Sequence, residues 1–301
     1  MGMAIRNISI IGGGLMGAGI AQIFAVSGYR VKVFEPNAEV RASIHNRTVN
    51  NLEALGDDIS AVAHIECFDD LAETVKDADY VTEAAPEKLE LKQSIFADLI
   101  EHSPRECILA SNTSVIPITK IADGLETADR IVGTHWWNPP FLIPLVEVVQ
   151  AKNTSLETIN TTMNLLTVIG KAPAHVKKDT PGFVANRMQH ALWREAIAMV
   201  AEGVCDAKTL DDCVKNSFGM RLSVLGPLEN ADLVGLDLTL DIHKTMIPEL
   251  DLHDGPHEFL MQKVKNGHLG FKSGEGFQTW TPERMEETRT QLLQHLKASR
   301  A

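Results

Sequence analysis

The sequence predicts the α/β class: a doubly wound parallel sheet followed by a smaller, all-helical domain. Three observations predict it. Short β-branched runs alternate with helical stretches as far as about residue 176, a glycine turn follows the first run at once, and beyond about residue 186 only helical patterning remains. A length of 301 residues accommodates two domains. The expected division is 1–180 for the sheet and 181–301 for the helices.

Ala4 to Ile11 reads as a buried strand running into Gly12-Gly-Gly14-Leu15-Met16-Gly17, then an apolar helix to about Ser27. Gly28 stops that helix, and Arg30 to Phe34 forms a second strand ending on Glu35. Strand, G-x-G-x-x-G, helix, strand and acid make a Rossmann-type dinucleotide unit. Gly12 permits the tight turn, Gly14 lets the backbone approach a pyrophosphate, and Gly17 lets helix and strand pack closely. The diphosphate belongs at the helix N-terminus, where free amides and the dipole favour anions. A carboxylate at Glu35 accepts from the ribose hydroxyls and repels a 2′-phosphate, so the expected cofactor is NAD rather than NADP. Arg30, Lys32 and Arg41 nearby pull the other way.

Asn37 to about Leu55 reads as a helix, and Ala63 to Phe68 and Asp79 to Ala84 as further strands. Glu87 to Lys92 has the acidic first turn of a helix start. Cys107 to Ala110 delivers Ser111-Asn112-Thr113-Ser114 at its carboxyl end; a plain turn or helix cap is the alternative role for that tetrad. Ser155 to Ile169 is an amphipathic helix, Ala172 to Val176 a last strand, and Lys177 to Phe183 a linker. Helices then follow at Asn186 to Glu202, Ala207 to Phe218, Asp237 to about Ile247 and Pro282 to Ala298, the last after a glycine-rich loop from Gly267 to Phe277. Ligands of doubly wound sheets bind beyond the strands' carboxyl ends, so Leu15, Met16, Ala84 and Asn112 join the glycines and Glu35 as expected cofactor contacts.

The chemistry concentrates between Arg130 and Val149. Ile131 and Val132 begin a buried strand that ends at His135; Pro139, Pro140 and Pro144 then forbid a helix. Val146 to Val149 must be a new strand, with Glu147 at its start. A carboxylate on one imidazole nitrogen fixes the tautomer and leaves the other free to take a proton. The plainer alternative is a satisfied core histidine beside a surface glutamate.

Composition narrows the field. A formal charge of −12 argues against a nucleic-acid partner. Cys67, Cys107, Cys205 and Cys213 show no CxxC or metal spacing, which fits a reduced, cytoplasmic chain. No run reaches the roughly 18 apolar residues of a membrane helix. Gly2 suggests myristoylation, but Arg6 stands where Ser or Thr is required. His253 and His257 with Asp251 and Asp254 resemble a metal cluster, yet Gly255-Pro256 breaks the helix such ligands need, so no metal is expected.

Taken together the chain resembles the 3-hydroxyacyl-CoA dehydrogenase family. The carriers are Ile-Gly-Gly-Gly-Leu-Met-Gly17, Ser-Asn-Thr-Ser114, His135-Trp-Trp-Asn138-Pro with Glu147 following, Asp179-Thr-Pro-Gly-Phe-Val-Ala-Asn186-Arg and Gly270-Phe-Lys-Ser-Gly-Glu-Gly276. The resemblance implies an NAD-binding domain, then an all-helical domain that forms a homodimer. It puts the catalytic pair on His135 and Glu147, contacts to the reacting oxygen on Ser114 and Asn186, and NAD contacts on Glu87, Lys92, Ser114 and Asn138. Asn186 is then expected to come from the helical domain. Trp136-Trp137 departs from the family's usual two phenylalanines.

A second departure concerns the substrate, which is small in every reading and anionic in the preferred one. Family members acting on CoA thioesters carry a long, lysine-rich hairpin after the second strand. Here Glu39 to Asp70 is short and holds only Arg41 and Arg47 as fixed cations among seven acidic residues, the wrong balance for CoA's phosphates. Gly219-Met-Arg221-Leu-Ser-Val-Leu-Gly226-Pro looks more like the gulonate 3-dehydrogenase and lambda-crystallin-like branch. Arg221 could grip a free carboxylate, or simply lie along a helical surface. The expectation is oxidation of a small free 3-hydroxy acid to the 3-keto acid, with a 3-hydroxyacyl-CoA as the alternative. A non-catalytic dinucleotide-binding protein is the more distant one. Trp136 and Trp137 could cage a quaternary ammonium, though filling the core beneath the cofactor suits them better.

Overall fold

The computed structural model describes residues 5–299; the expected strand start at Ala4, and Gly2, lie outside the described residues. Eight strands form one sheet: β1 (Asn7–Ile11), β2 (Arg30–Phe34), β3 (Ile65–Phe68), β4 (Tyr80–Glu83), β5 (Ile108–Ser111), β6 (Ile131–Trp136), β7 (Leu145–Val149) and β8 (Ala172–Val176). Their order is β3-β2-β1-β4-β5-β6-β7-β8, with the reversal of a doubly wound sheet beside β1. Every neighbouring pair is parallel except β6 and β7. Parallel neighbours need a crossover of a dozen or more residues, and the proline-rich segment 137–144 is too short to make one. The chain therefore turns back on itself and sets His135 directly opposite Glu147.

Helices α1 (Leu15–Val26), α2 (Ala38–Leu55), α3 (Leu71–Val75), α4 (Leu89–His102), α5 (Ile118–Ile121) and α6 (Leu156–Val168) connect the strands. Because side chains alternate along a strand, successive strand residues feed two cores. Ile8, Ile10, Tyr80, Ile108, Val132 and Val148 pack with Phe24 of α1 and Leu166 of α6. Ile11, Val81, Leu109, Ile131 and Val149 pack with Phe96 of α4 and Ile118 of α5. Side-chain caps start several helices: Asn37 accepts from the amides of Glu39 and Val40, each at 3.0 Å, and Ser155 from that of Thr158 at 3.1 Å.

The strand expected from Ala63 starts only at Ile65, because Ile59–His64 is a 3₁₀ helix. Asp58 caps that helix by accepting from the Ser60 amide at 2.8 Å. A second group of helices follows: α7 (Ala185–Ala201), α8 (Ala207–Lys215), α9 (Pro227–Val234), α10 (Leu236–Met246), α11 (Glu258–Lys265) and α12 (Pro282–Ala298). The sequence reading found no helix at α9 or α11. The expected helix to Phe218 stops at Lys215, and Phe218 belongs to a short 3₁₀ turn.

The chain divides into two compact units. One carries the sheet and runs to Asn186, taking in also the stretch from His295; the other is Arg187–Gln294. Asn186, the second residue of α7, is the last residue of the first unit's longer stretch.

Candidate active site

The glycine turn lies at the carboxyl end of β1, locked by a bond from the Gly12 amide to the Phe34 carbonyl at 2.8 Å. Gly12 has φ +101°, and a Cβ there would stand 2.9 Å from the Ala84 carbonyl oxygen. At Gly17 a Cβ would stand 1.8 Å from the Gly12 oxygen, so only glycine lets α1 approach this closely. α1 starts on Gly14 with no side-chain cap, which leaves its first amides for an anion. The Glu35 carboxylate closes the far side, accepting from the Gly13 amide at 2.8 Å and the Asn37 amide at 2.9 Å. Leu15 is 67% exposed beside the turn and Met16 packs partly on the core. These features fit a dinucleotide.

The remaining strand ends are tied to this one. The Ala84 amide donates to the Ile11 carbonyl at 2.8 Å, and the Asn112 amide to the Glu83 carbonyl at 2.7 Å. Asn112 Oδ1 in turn accepts from the Trp136 amide at 2.9 Å. Glu87 Oε1 accepts from the Thr113 hydroxyl at 2.5 Å and from the amides of Ser114 and Val115 at 3.0 and 3.1 Å. Burial pushes the Glu87 carboxyl up, but these donors and Lys92 outweigh it and hold it below the usual glutamate value. Asn186 Nδ2 donates to the Ser114 carbonyl at 3.2 Å. Asn138 is exposed just past β6.

At the centre, His135 Nδ1 and Glu147 Oε2 are 2.8 Å apart, both side chains buried. A carboxylate only accepts, so Nδ1 carries the proton, and in the neutral ring the lone pair is on Nε2. The other carboxylate oxygen accepts from the amides of Val184 and Ala185 at 2.9 and 3.0 Å, at the start of α7. The imidazole has two aromatic neighbours, Trp137 at 5.3 Å and Phe183 at 5.6 Å between ring centroids.

Lys92 is fully buried; its amine meets Glu83 at 2.6 Å and Glu87 at 3.5 Å. Glu83, which the sequence reading passed over, also accepts from the Ser111 hydroxyl at 2.6 Å and the Ala85 amide at 2.7 Å. Its signal was present, since an acid ending a short strand that carries no other charge, Tyr80-Val-Thr-Glu83, must find a partner when that strand is buried. Phe183 was missed too, and nothing in the sequence marks its backbone as left-handed. Arg41 is bound to Asp69 at 2.9 Å and to the Glu35 carbonyl at 2.7 Å, and Arg47 to the Gly13 carbonyl at 2.5 Å.

Trp136 is buried against Phe24, with the Lys171 amine 5.7 Å from its ring, so it fills core rather than walling a cage. Arg221 is exposed, in the other unit, just past a 3₁₀ turn. In that unit His257 caps α11, accepting from the Phe259 amide at 3.1 Å, and its ring lies 4.7 Å from that of His253. No helix among the described residues is long and apolar enough to cross a membrane.

Residues 7–180 match the family model described as 3-hydroxyacyl-CoA dehydrogenase, NAD binding domain, and residues 182–280 the model of that family's C-terminal domain. The chain is 36% identical to 5-formyl-3-hydroxy-2-methylpyridine 4-carboxylate 5-dehydrogenase of Mesorhizobium japonicum, over 98% of this chain and 97% of that one. It is 34% identical to L-carnitine dehydrogenase of Nocardiopsis dassonvillei, over 77% and 72% of the two chains. A probable 3-hydroxybutyryl-CoA dehydrogenase of Bacillus subtilis is 36% identical over 91% and 97%. Among solved structures, an NAD⁺-dependent 5-formyl-3-hydroxy-2-methylpyridine 4-carboxylic acid 5-dehydrogenase superposes with a TM-score of 0.90 at 34% identity, covering 99% of this chain and 98% of that one. With its glycine turn, its buried histidine–glutamate pair and both domain matches, the chain belongs to the 3-hydroxyacyl-CoA dehydrogenase family and is an NAD-dependent dehydrogenase acting on a CH–OH group.

Proposed function

We propose that the chain interconverts a small free 3-hydroxy acid and its 3-keto acid, with His135 as the base. The alcohol gives its proton to His135 Nε2, the nitrogen left open by the bond to Glu147. Glu147 holds the ring and balances the imidazolium that forms. Ser114 and Asn186, already joined through the Ser114 carbonyl, orient the reacting oxygen. NAD, when bound, accepts the hydride. Gly12, Gly14, Leu15, Met16, Gly17 and Glu35 would hold its adenosine and diphosphate end, and Ala84, Glu87, Asn112, Ser114 and Asn138 would line the nicotinamide end. Lys92, wholly buried, serves from beneath by fixing Glu87.

One observation carries the choice of a free acid. The two fixed cations between Glu39 and Asp70 both have partners within the chain, Arg41 in a surface pair with Asp69 and Arg47 on the Gly13 carbonyl. Neither is left to meet the phosphates of CoA. The named substrates of two relatives, a pyridine carboxylate and L-carnitine, are free carboxylates, in keeping with this reading. The Bacillus relative favours a 3-hydroxyacyl-CoA as the second reading. Steady-state kinetics on both classes decide. A free acid is expected to give the higher kcat/KM, with Arg221→Ala raising its KM and His135→Gln cutting turnover by about 10²–10⁴-fold while NAD still binds. A dominant acyl-CoA activity indifferent to Arg221→Ala would overturn the choice of substrate.

The same reading makes residues 181–301 a substrate and dimerisation domain of a cytoplasmic homodimer. Among residues 187–294 only Ala198 and Gly276 are buried, while Val224, Leu228, Leu240 and Met261 are all more than half exposed. A helical unit without a buried core needs a cover, and a second copy supplies one with the same apolar faces. The four free cysteines suit a reducing compartment.

A further inference from the structure

Phe183 stands in a conformation that its residue type resists. Its φ is +50°, the only positive value among the described non-glycine residues, directly after Gly182 at φ +73°. Bulky side chains rarely adopt this left-handed region, and one that does so is held there by its surroundings. A glycine at 183 would satisfy the same backbone without strain. The phenylalanine is therefore retained for its ring, which is 1% exposed.

Both halves of the residue lead to the acid–base pair. The left-handed turn points the next two amides, Val184 and Ala185, at Glu147 Oε1. The ring packs on the His135 imidazole, with 5.6 Å between centroids and 53° between planes. One residue thus braces the histidine directly and the glutamate through the main chain.

We propose that Phe183 is a positioning residue for the reaction: it fixes the plane of His135 with its ring and the rotamer of Glu147 with the turn it forms. The inference rests on the reading of His135 as the base. A purely structural role is the rival, because the ring also belongs to the core with Ile118 and Ile121.

The test compares Phe183→Leu, Phe183→Gly, Phe183→Ala and His135→Gln as full-length chains with NAD and the best hydroxy-acid substrate. Leucine keeps apolar bulk but loses the flat face. Phe183→Leu is expected to lower kcat about ten- to a hundredfold, as a base misplaced by a fraction of an ångström does. Its NAD dissociation constant should stay within about twofold of wild type, and the deuterium isotope effect from substrate labelled at the carbinol carbon should rise as hydride transfer becomes limiting. Phe183→Gly should be equally slow, yet melt at a higher temperature than Phe183→Ala, since glycine alone releases the strain. Native turnover in Phe183→Leu, or a loss lying wholly in NAD affinity or folded fraction, overturns the role of the ring. A Phe183→Ala variant that melts with Phe183→Gly and turns over no more slowly overturns the role of the turn, because only the glycine keeps the left-handed backbone unstrained. If His135→Gln itself turns over normally, the reading beneath has failed instead.

Discussion

At Glu147 burial and hydrogen bonding pull in opposite directions. Loss of water raises the carboxyl, but the bond from His135 and the Ala185 and Val184 amides bring it below the ordinary glutamate value. A group whose folded pKa is depressed adds stability that is present above the unfolded value and lost as pH falls through the folded one. Wild-type melting temperature should therefore fall as pH drops below about 4.5, the ordinary glutamate value, and Glu147→Gln should flatten that fall. The variant should also lose most turnover at neutral pH with little change in NAD binding. A thermal melt series with parallel NAD titration checks both, and unchanged turnover would leave Glu147 a structural residue.

Among the elements, one buried ion pair joins β4 to α4, and the Ser111 hydroxyl ties β5 to its acid. Lys92 and Glu83 are both fully buried and 2.6 Å apart. Removing one partner strands a charge, which typically costs about 3–5 kcal/mol, whereas replacing both by apolar residues is often neutral. Lys92→Met should thus destabilise strongly in urea, and adding Glu83→Leu should recover most of the loss. NAD affinity should remain weakened in the double variant, because Glu87 has lost its cation. Full recovery of affinity would make the pair a matter of stability alone.

The strands and the glycine turn were legible because alternation and glycine spacing are local signals. His135 and Glu147 were legible for the same reason, since the prolines between them forbid a helix and make the run from Val146 a separate strand. Less local features were not. The antiparallel register opposing the two side chains depends on β6 having room beside it for β7. The left-handed Phe183 and the Lys92–Glu83 bond depend on packing between segments distant in sequence. α9 was not read from the sequence, although Pro227 is well suited to a first helical turn.

For the whole molecule, the proposed homodimer would cover the exposed apolar faces of residues 187–294 and so add to stability. Sedimentation velocity should show a species of twice the 33.0 kDa chain mass, and the melting temperature should rise with protein concentration. Leu240→Glu, placing a charge on an exposed leucine of α10, should shift the chain to monomer and lower its stability. A wild-type monomer that melts at the same temperature at every concentration would refute the homodimer.

The antiparallel turn-back has a further consequence. Ladder bonds between two sheet strands bring His135, the proposed proton acceptor, opposite Glu147, and the amides after the Phe183 turn complete the support. Loops other than the Phe183 turn can then drift in sequence while this pairing stays in place. A lineage built this way can exchange one oxidisable alcohol for another by remodelling its periphery, and inherit the chemical step intact.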